Sequence, residues 1–201
     1  MELKQRIIEQ ASGMFLKRGI KAITMDDIAV SLGISKRTLY EKFATKEELL
    51  TDCMEYLHME NLRVISQIME ESGDDPLEII HRHFKHALSL FTNIHPGFFD
   101  DLQKYHPALC LKEIESQMHK TEEFTSSLIE KGIQRGIFRD DLNPIILSRA
   151  TNTFYRFISY HDTFPDPPFS HTEVFRQVTL CIIRGMATPA GLKMIDEKFK
   201  Q

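Results

Sequence analysis

Residues 22–49, AITMDDIAVSLGISKRTLYEKFATKEEL, decide the fold of the N-terminal part of this 201-residue chain. Apolar residues recur there at helical spacing, at Met25, Ile28, Ala29 and Leu32. Gly33 then ends this helix and supplies the backbone conformation of a tight turn. Ser35 offers an N-cap for a short second helix, whose buried side carries Leu39 and Phe43. The segment predicts a helix–turn–helix.

The second helix of this pair exposes side chains suited to nucleic acid. Leu39 and Phe43 are expected in the core. The exposed residues are then three cations, a hydroxyl and a phenol, namely Lys36, Arg37, Lys42, Thr38 and Tyr40. Such groups donate hydrogen bonds to phosphate oxygens and to base edges. We therefore predict that this helix contacts DNA. The alternative is a solvated basic face without a nucleic-acid partner.

Two stretches around this motif resemble the N-terminal domain of TetR-family transcriptional regulators. Residues 6–29, RIIEQASGMFLKRGIKAITMDDIA, are similar to the family's first helix, its connection and its second helix. Residues 32–50, LGISKRTLYEKFATKEELL, are similar to its turn, its recognition helix and the start of its fourth helix. The resemblance covers about the first fifty residues. It implies a three-helix DNA-binding domain over residues 1–46 and a helical effector-binding and dimerisation domain over residues 47–201.

The resemblance implies DNA contacts at the positions that match the family's motif. Base contacts are expected from the start of the recognition helix, by Lys36, Arg37 and Thr38. Phosphate contacts are expected on either side, by Thr24, Tyr40, Lys42 and Lys46. Thr24 also forms a capping-box pattern with Asp27. Lys42 departs from the family pattern, which often has an aromatic residue or histidine there.

Charge is unevenly distributed along the chain, whose formal net charge is −4. Residues 1–50 contain nine Lys and Arg against seven Asp and Glu, so the remainder carries the acidic excess. A negative chain is a poor candidate for coating nucleic acid without regard to sequence. A mildly basic N-terminal segment followed by an acidic remainder is typical of a DNA-binding protein whose second domain has a different function.

Cysteine usage and hydropathy bear on the cellular compartment. The three cysteines, Cys53, Cys110 and Cys181, are widely spaced and form no CxxC pair. We therefore expect reduced thiols and a cytoplasmic protein. The N-terminal residues are charged and helical rather than a signal peptide, and no apolar run is long enough for a membrane span.

Helix-capping and proline signals divide the remaining sequence into helices. Starts are predicted at Thr45–Glu48, Asp75–Glu78, His95–Pro96, His106–Pro107, Asn143–Pro144, Ser170–Glu173 and Pro189. Residues 162–168, DTFPDPP, are predicted to form a rigid loop. Strand signals are almost missing. The sequence therefore predicts an all-α fold of nine or ten helices.

Two late helices are candidates for a dimer interface, at about residues 144–160 and 171–186. Each carries more apolar surface than a helix with one solvent-facing side needs: Ile146, Leu147, Ala150, Phe154, Phe157 and Ile158 on the first, and Val174, Phe175, Val178, Ile182 and Met186 on the second. One stripe is expected to face the core and the other a second copy of the chain. In the resembled family the corresponding helices form a four-helix dimer interface.

Aromatic residues concentrate in the middle of the chain, where an effector would bind. The candidates are Phe84, Leu88, Phe91, Phe98, Phe99, Tyr105, Phe124 and Phe154, which either line a cavity for an apolar or aromatic molecule or fill the core. His81, His83 and His86 lie nearby, but only His83 and His86 share a helix face, and no complete ligand set accompanies them. No metal site or other cofactor is predicted.

The most consistent hypothesis is a homodimeric, effector-responsive transcriptional regulator of double-stranded DNA, a repressor released from a palindromic operator. No catalytic residues are predicted, because no nucleophile–base, P-loop or dinucleotide-binding motif is present. Two alternatives remain. The body of a DNA-binding protein could dock a protein partner instead of an effector, or the chain could be a helical interaction protein without DNA binding.

Overall fold

The protein forms ten helices within the residues that the structure describes. The computed structural model describes residues 2–158, 164 and 168–200, without the side chains of residues 112–120, 156 and 157. The helices are α1 (Leu3–Arg18), α2 (Met25–Leu32), α3 (Lys36–Tyr40), α4 (Lys46–Ser72), α5 (Pro76–Asn93), α6 (Gly97–Tyr105), α7 (Pro107–Gln134), α8 (Pro144–Ile158), α9 (His171–Met186) and α10 (Pro189–Lys198). The all-α prediction is confirmed. Extended backbone pairs in an isolated bridge between Phe138 and Ala187.

Most of the predicted helix starts carry the expected caps. Asp75 Oδ1 accepts hydrogen bonds from the amides of Leu77 and Glu78, and Asn143 Oδ1 does the same at the start of α8. Thr188 Oγ1 accepts from the amide of Gly191 at 2.9 Å. These bonds satisfy donors that the first turn of a helix leaves unpaired.

The prediction of a side-chain cap at Ser170 is wrong. The Ser170 side chain forms no capping hydrogen bond, although α9 begins directly after it. The Glu173 carboxylate, which would complete a capping box, instead accepts hydrogen bonds from Arg176 and Gln177. The guanidinium is a stronger partner for the carboxylate than a backbone amide. The predicted loop at 162–168 lies largely outside the described residues.

Internal contacts divide the chain into two units. The first contains residues 1–65 and 93–113, and the second contains residues 66–92 and 114–201. This division by packing differs from the functional division predicted after residue 46. The long helix α4 begins in the first unit and ends in the second.

Helix α6 belongs to the first unit because it contacts the end of α1 and the connection to α2. The amide of His95 donates to the carbonyl of Leu16 at 2.7 Å, and the amide of Lys21 donates to Asp101 Oδ2 at 2.7 Å. Gly19 has a φ of +81°, and a Cβ there would lie 3.1 Å from Asp101 Oδ2. Glycine therefore permits both the turn and the close approach of Asp101.

Each unit has its own apolar core. In the first, the fully buried side chains include Ile7, Phe15, Ile28, Leu39 and Phe43. In the second, a cluster joins α5, α7, α9 and α10 through Leu77, Ile129, Ile137, Phe138, Ile183, Met186 and Ile195. Among the described residues, no helix combines the length and apolarity needed to cross a bilayer.

Candidate nucleic-acid interface and effector-binding region

A reciprocal capping box fixes the start of α2. Thr24 Oγ1 accepts from the amide of Asp27 at 3.1 Å, while Asp27 Oδ2 accepts from the amide of Thr24 at 2.9 Å. Hydrogen bonds from Thr24 lower the pKa of the Asp27 carboxyl. Thr24 is exposed, so its hydroxyl lies at an accessible helix N-terminus, where backbone amides favour anions.

The turn between α2 and α3 follows the sequence prediction. Gly33 adopts the left-handed conformation with a φ of +66°, and the amide of Ile34 donates to the carbonyl of Ala29 at 3.0 Å. Ser35 Oγ then accepts from the amide of Thr38 at 3.0 Å and caps α3. The backbone of this short helix is therefore fixed at its first turn.

The outer face of α3 presents cations whose partners are solvent-exposed carboxylates. Lys36 Nζ lies 2.8 Å from Asp26, and Arg37 Nε lies 3.0 Å from Glu41. The Arg37 side chain is 90% exposed. Exposed ion pairs of this kind contribute at most about 1 kcal/mol, so a phosphate or a base can replace the carboxylates.

The other residues of α3 and of the turn that follows it divide as the helical spacing predicts. Leu39 and Phe43 are fully buried, whereas Tyr40 and Lys42 are exposed. Thr38 is half-buried, with its hydroxyl 2.8 Å from that of Ser35. Val30 on α2 is 80% exposed, and its exposure was not predicted. Val30 lies outside the helical spacing that the buried residues of α2 follow, and this spacing could have predicted its exposure.

Lys46 occupies a different environment from the other predicted contacts. Its ammonium donates to the carbonyl of Ile20 and lies 5.7 Å from the centre of the Phe15 ring. Burial lowers the pKa of Lys46. This half-buried side chain joins the start of α4 to the connection between α1 and α2, a contact that the sequence did not predict.

In the second unit, five aromatic rings form what we call the aromatic cluster: Phe84, Phe91, Tyr155, Phe175 and Phe199. Phe175 is 3% exposed and lies at its centre, with ring centroids 5.7 Å from Phe84, 4.9 Å from Phe91 and 5.2 Å from Tyr155. The other four rings are only half-buried. Two predicted effector residues, Phe84 and Phe91, therefore lie in one group.

Other predicted effector residues lie beside this cluster or elsewhere. Phe154 contacts Tyr155, Phe124 contacts the His83 ring at 5.6 Å, and Leu88 is half-buried on α5. Burial, followed by the His86 charge, lowers the pKa of His83 to about 4. Among the described residues, no three potential metal-binding side chains come together.

Phe98, Phe99 and Tyr105 belong to the first unit. Phe98 is 2% exposed and lies in the core of the first unit, whereas the aromatic cluster lies in the second unit. Phe99 packs edge-on against Phe98 at 5.3 Å, and Tyr105 is 44% exposed beside Lys21. The apolar spacing that marks a helix face does not distinguish such core and surface positions from pocket positions.

Comparison with known proteins agrees with the geometry of the first unit. The family model described as bacterial regulatory proteins, tetR family, matches residues 7–53. The chain is also 27% identical to the HTH-type transcriptional repressor KstR2 of Mycobacterium tuberculosis, over 92% of this chain and 93% of that protein. The chain is therefore similar to TetR-family regulators, with the family match confined to its N-terminal segment.

Solved structures share the fold of this chain over most of its length. A transcriptional regulator from Cytophaga hutchinsonii matches with a TM-score of 0.70 at 20% identity, over 92% of this chain and 98% of that chain. Thermus thermophilus FadR, a TetR-family repressor solved in complex with lauroyl-CoA, matches with a TM-score of 0.58 at 18% identity, over 92% and 95%.

Sequence reasoning did not identify three members of the aromatic cluster. The sequence places Phe175 among the apolar residues of α9 without deciding between its two stripes, and it does not select Tyr155 or Phe199. Phe175 and Met186 are buried, as the core-facing stripe of the prediction requires. Only the packing of α5, α8 and α9 identifies which aromatic side chains meet.

Proposed function

We propose that the chain is a homodimeric repressor that binds a palindromic operator and leaves it when a small apolar or aromatic effector binds. Residues 1–46 act as the DNA-binding domain, and residues 47–201 bind the effector and form the dimer. One observation carries the proposal: α3 presents exposed Lys36 and Arg37 on a helix that Leu39 and Phe43 fix to a buried core.

The DNA contacts are divided between bases and backbone. Base edges are contacted by the exposed start of α3, through Lys36, Arg37 and Thr38. Phosphates are contacted by Thr24, Tyr40 and Lys42, all of which are exposed. Lys46, expected from the sequence to bind phosphate, receives a positioning role here, because its ammonium is already bonded to Ile20.

Effector binding is coupled to DNA through α4. This helix runs without interruption from Lys46, close in sequence to the DNA-contacting residues, to Ser72 in the second unit. The aromatic cluster provides half-buried apolar surface for the effector. The FadR complex with lauroyl-CoA is an example of this fold binding a compound with a long apolar acyl chain.

The dimer forms through the outer sides of α8 and α9. Ile146 is 64% exposed and Ala150 is also exposed, while Ser148 and Thr151 on the other side of α8 are buried. An exposed apolar stripe on a helix whose opposite side is packed suits a second copy of the chain. The two DNA-binding domains of the dimer then contact half-sites about 34–36 Å apart. This regulator acts in the cytoplasm and has no catalytic role.

The test selects a duplex from random sequence and measures binding by fluorescence anisotropy. A palindromic operator should be bound in preference to a scrambled duplex of equal length. Candidate apolar effectors are then titrated with and without the operator. Because coupling is reciprocal, an effector that weakens operator binding must itself bind more weakly to the operator complex by the same factor. Equal effector affinities in both titrations would contradict the proposed release mechanism.

A further inference from the structure

A buried hydroxyl group without a partner lies next to the aromatic cluster. Thr179 is 3% exposed, and its Oγ1 has no hydrogen-bond partner. It follows Phe175 by one helical turn, so the two side chains share a face of α9. An unpaired buried hydroxyl destabilises the folded protein, and such groups are rare enough to require an explanation.

The Tyr155 phenol is the neighbour of this hydroxyl. Burial raises the pKa of Tyr155, and the Thr179 hydroxyl opposes that rise. The two groups are therefore close without forming a well-aligned hydrogen bond. The phenol remains protonated at pH 7. A ligand lying against Phe175 would thus meet hydroxyl groups on α8 and α9.

The described side chains of α5, α8 and α9 offer no free cation beside these hydroxyl groups. The arginines are each paired with a carboxylate, namely Arg82 with Glu78, Arg149 with Glu122, Arg176 with Glu173 and Arg184 with Asp196. Lys85 is exposed. His83 is neutral at pH 7, because burial lowers its pKa to about 4.

We propose that Thr179 determines effector specificity by donating a hydrogen bond to a carbonyl oxygen of an uncharged, largely apolar effector. The faces of Phe84 and Phe91 contact the apolar part of this molecule. Against the described side chains of α5, α8 and α9, a carboxylate in the same place would lose its hydration without gaining a cation. A pure hydrocarbon would leave the Thr179 hydroxyl unpaired. This inference rests on the proposed effector-responsive function and specifies the chemical class of the effector.

The binding test uses two fluorescent naphthalene probes with the full chain. The neutral ketone 6-propionyl-2-(dimethylamino)naphthalene should bind, and the anion 1-anilinonaphthalene-8-sulfonate should bind at least about tenfold more weakly. Thr179→Val removes the hydroxyl at nearly constant shape and should weaken ketone binding by about 5- to 10-fold. Thr179→Ser keeps the hydroxyl and should retain the affinity within about twofold. Thr121→Val, at an exposed position of α7, is the matched control.

A second readout requires no ligand. Because Thr179→Val replaces an unpaired hydroxyl with a methyl group, it should raise the thermal midpoint of the ligand-free protein while leaving operator affinity unchanged. A lower midpoint would show that the hydroxyl already has a partner, and this would overturn the inference. Failure of the ketone to bind, or tighter binding of the anion, would overturn it as well. None of these readouts depends on operator release, so they separate this inference from the repressor proposal.

Discussion

Arg37→Ala tests the assignment of α3 as the base-reading helix. The Arg37 side chain is 90% exposed, and its partner in the free protein is Glu41, one turn along the same helix. Removing an exposed ion pair changes the free energy of unfolding by less than about 1 kcal/mol. We therefore expect an intact fold with a nearly unchanged thermal midpoint.

The effect on DNA binding should be much larger. A side chain that contacts a base edge contributes about 1–3 kcal/mol to discrimination. A dimer carries two copies of Arg37, so operator affinity should fall by about 2–6 kcal/mol, or roughly 30-fold to 10⁴-fold. Binding to a scrambled duplex should fall by less than about threefold, because phosphate contacts dominate non-specific affinity.

The assay is anisotropy titration of the operator and the scrambled duplex at two salt concentrations. Arg63→Ala is the control, because Arg63 is also exposed and paired with a carboxylate, Glu60, in the same unit. The control should leave both affinities unchanged. Equal losses on operator and scrambled duplex for Arg37→Ala would refute the base-reading role and reduce Arg37 to a phosphate contact.

Three further predictions concern positioning, pH and assembly. Lys46→Met removes the hydrogen bond to the buried connection between α1 and α2 and should destabilise the fold by about 1–3 kcal/mol, lowering the thermal midpoint by roughly 3–10 °C in calorimetry. Lys42→Met should leave the thermal midpoint unchanged. It should reduce the slope of the logarithm of the DNA-binding constant against the logarithm of the salt concentration by about one. Hydrogen bonds from Lys198 and Arg82 lower the pKa of Glu78 to about 2. The stability that Glu78 contributes is therefore present above its unfolded pKa, near 4.3, and is lost as pH falls toward 2, so Glu78→Gln should flatten that part of the stability–pH curve. Ile146→Glu combined with Ala150→Glu should give helical monomers in sedimentation velocity.

Controls for the assembly and acid-titration experiments lie on α10. Met194→Glu places a charge at a position that is 47% exposed and should leave the dimer intact. Glu197→Gln is the control for the acid titration, because Glu197 is exposed. An unchanged midpoint for Lys46→Met would exclude its positioning role. If Glu78→Gln leaves the acidic part of the stability–pH curve unchanged, the pH prediction is wrong. If the double substitution on α8 still gives dimers, the assembly prediction is wrong.

Local signals predicted much of the fold because they depend on neighbouring residues. Thr24 with Asp27, Gly33 and Ser35 each fix a helix end through bonds spanning a few positions, and all three behave as predicted. Asp75 and Asn143 are equally local. Such caps can be read from spacing alone, because their donors and acceptors lie within one turn.

Contacts between distant segments could not be predicted in this way. The Lys46 ammonium meets the carbonyl of Ile20 across 26 positions, and the Lys21 amide meets Asp101 across 80. Helical periodicity indicates which face of α9 is apolar but not which neighbour covers it. The sequence therefore could not assign Phe175 to the core stripe, and the buried hydroxyl of Thr179 is identified only by the packing of the helices.

The most direct test of the central claim is sedimentation equilibrium of the protein with its selected operator. The chain has a mass of 23.4 kDa, and a single recognition helix contacts too few base pairs for useful discrimination. We predict that the free protein sediments at about twice the monomer mass and that dimers bind each palindromic duplex, with dissociation on adding effector. A 23.4 kDa monomer that binds operator and scrambled duplex equally would contradict the account.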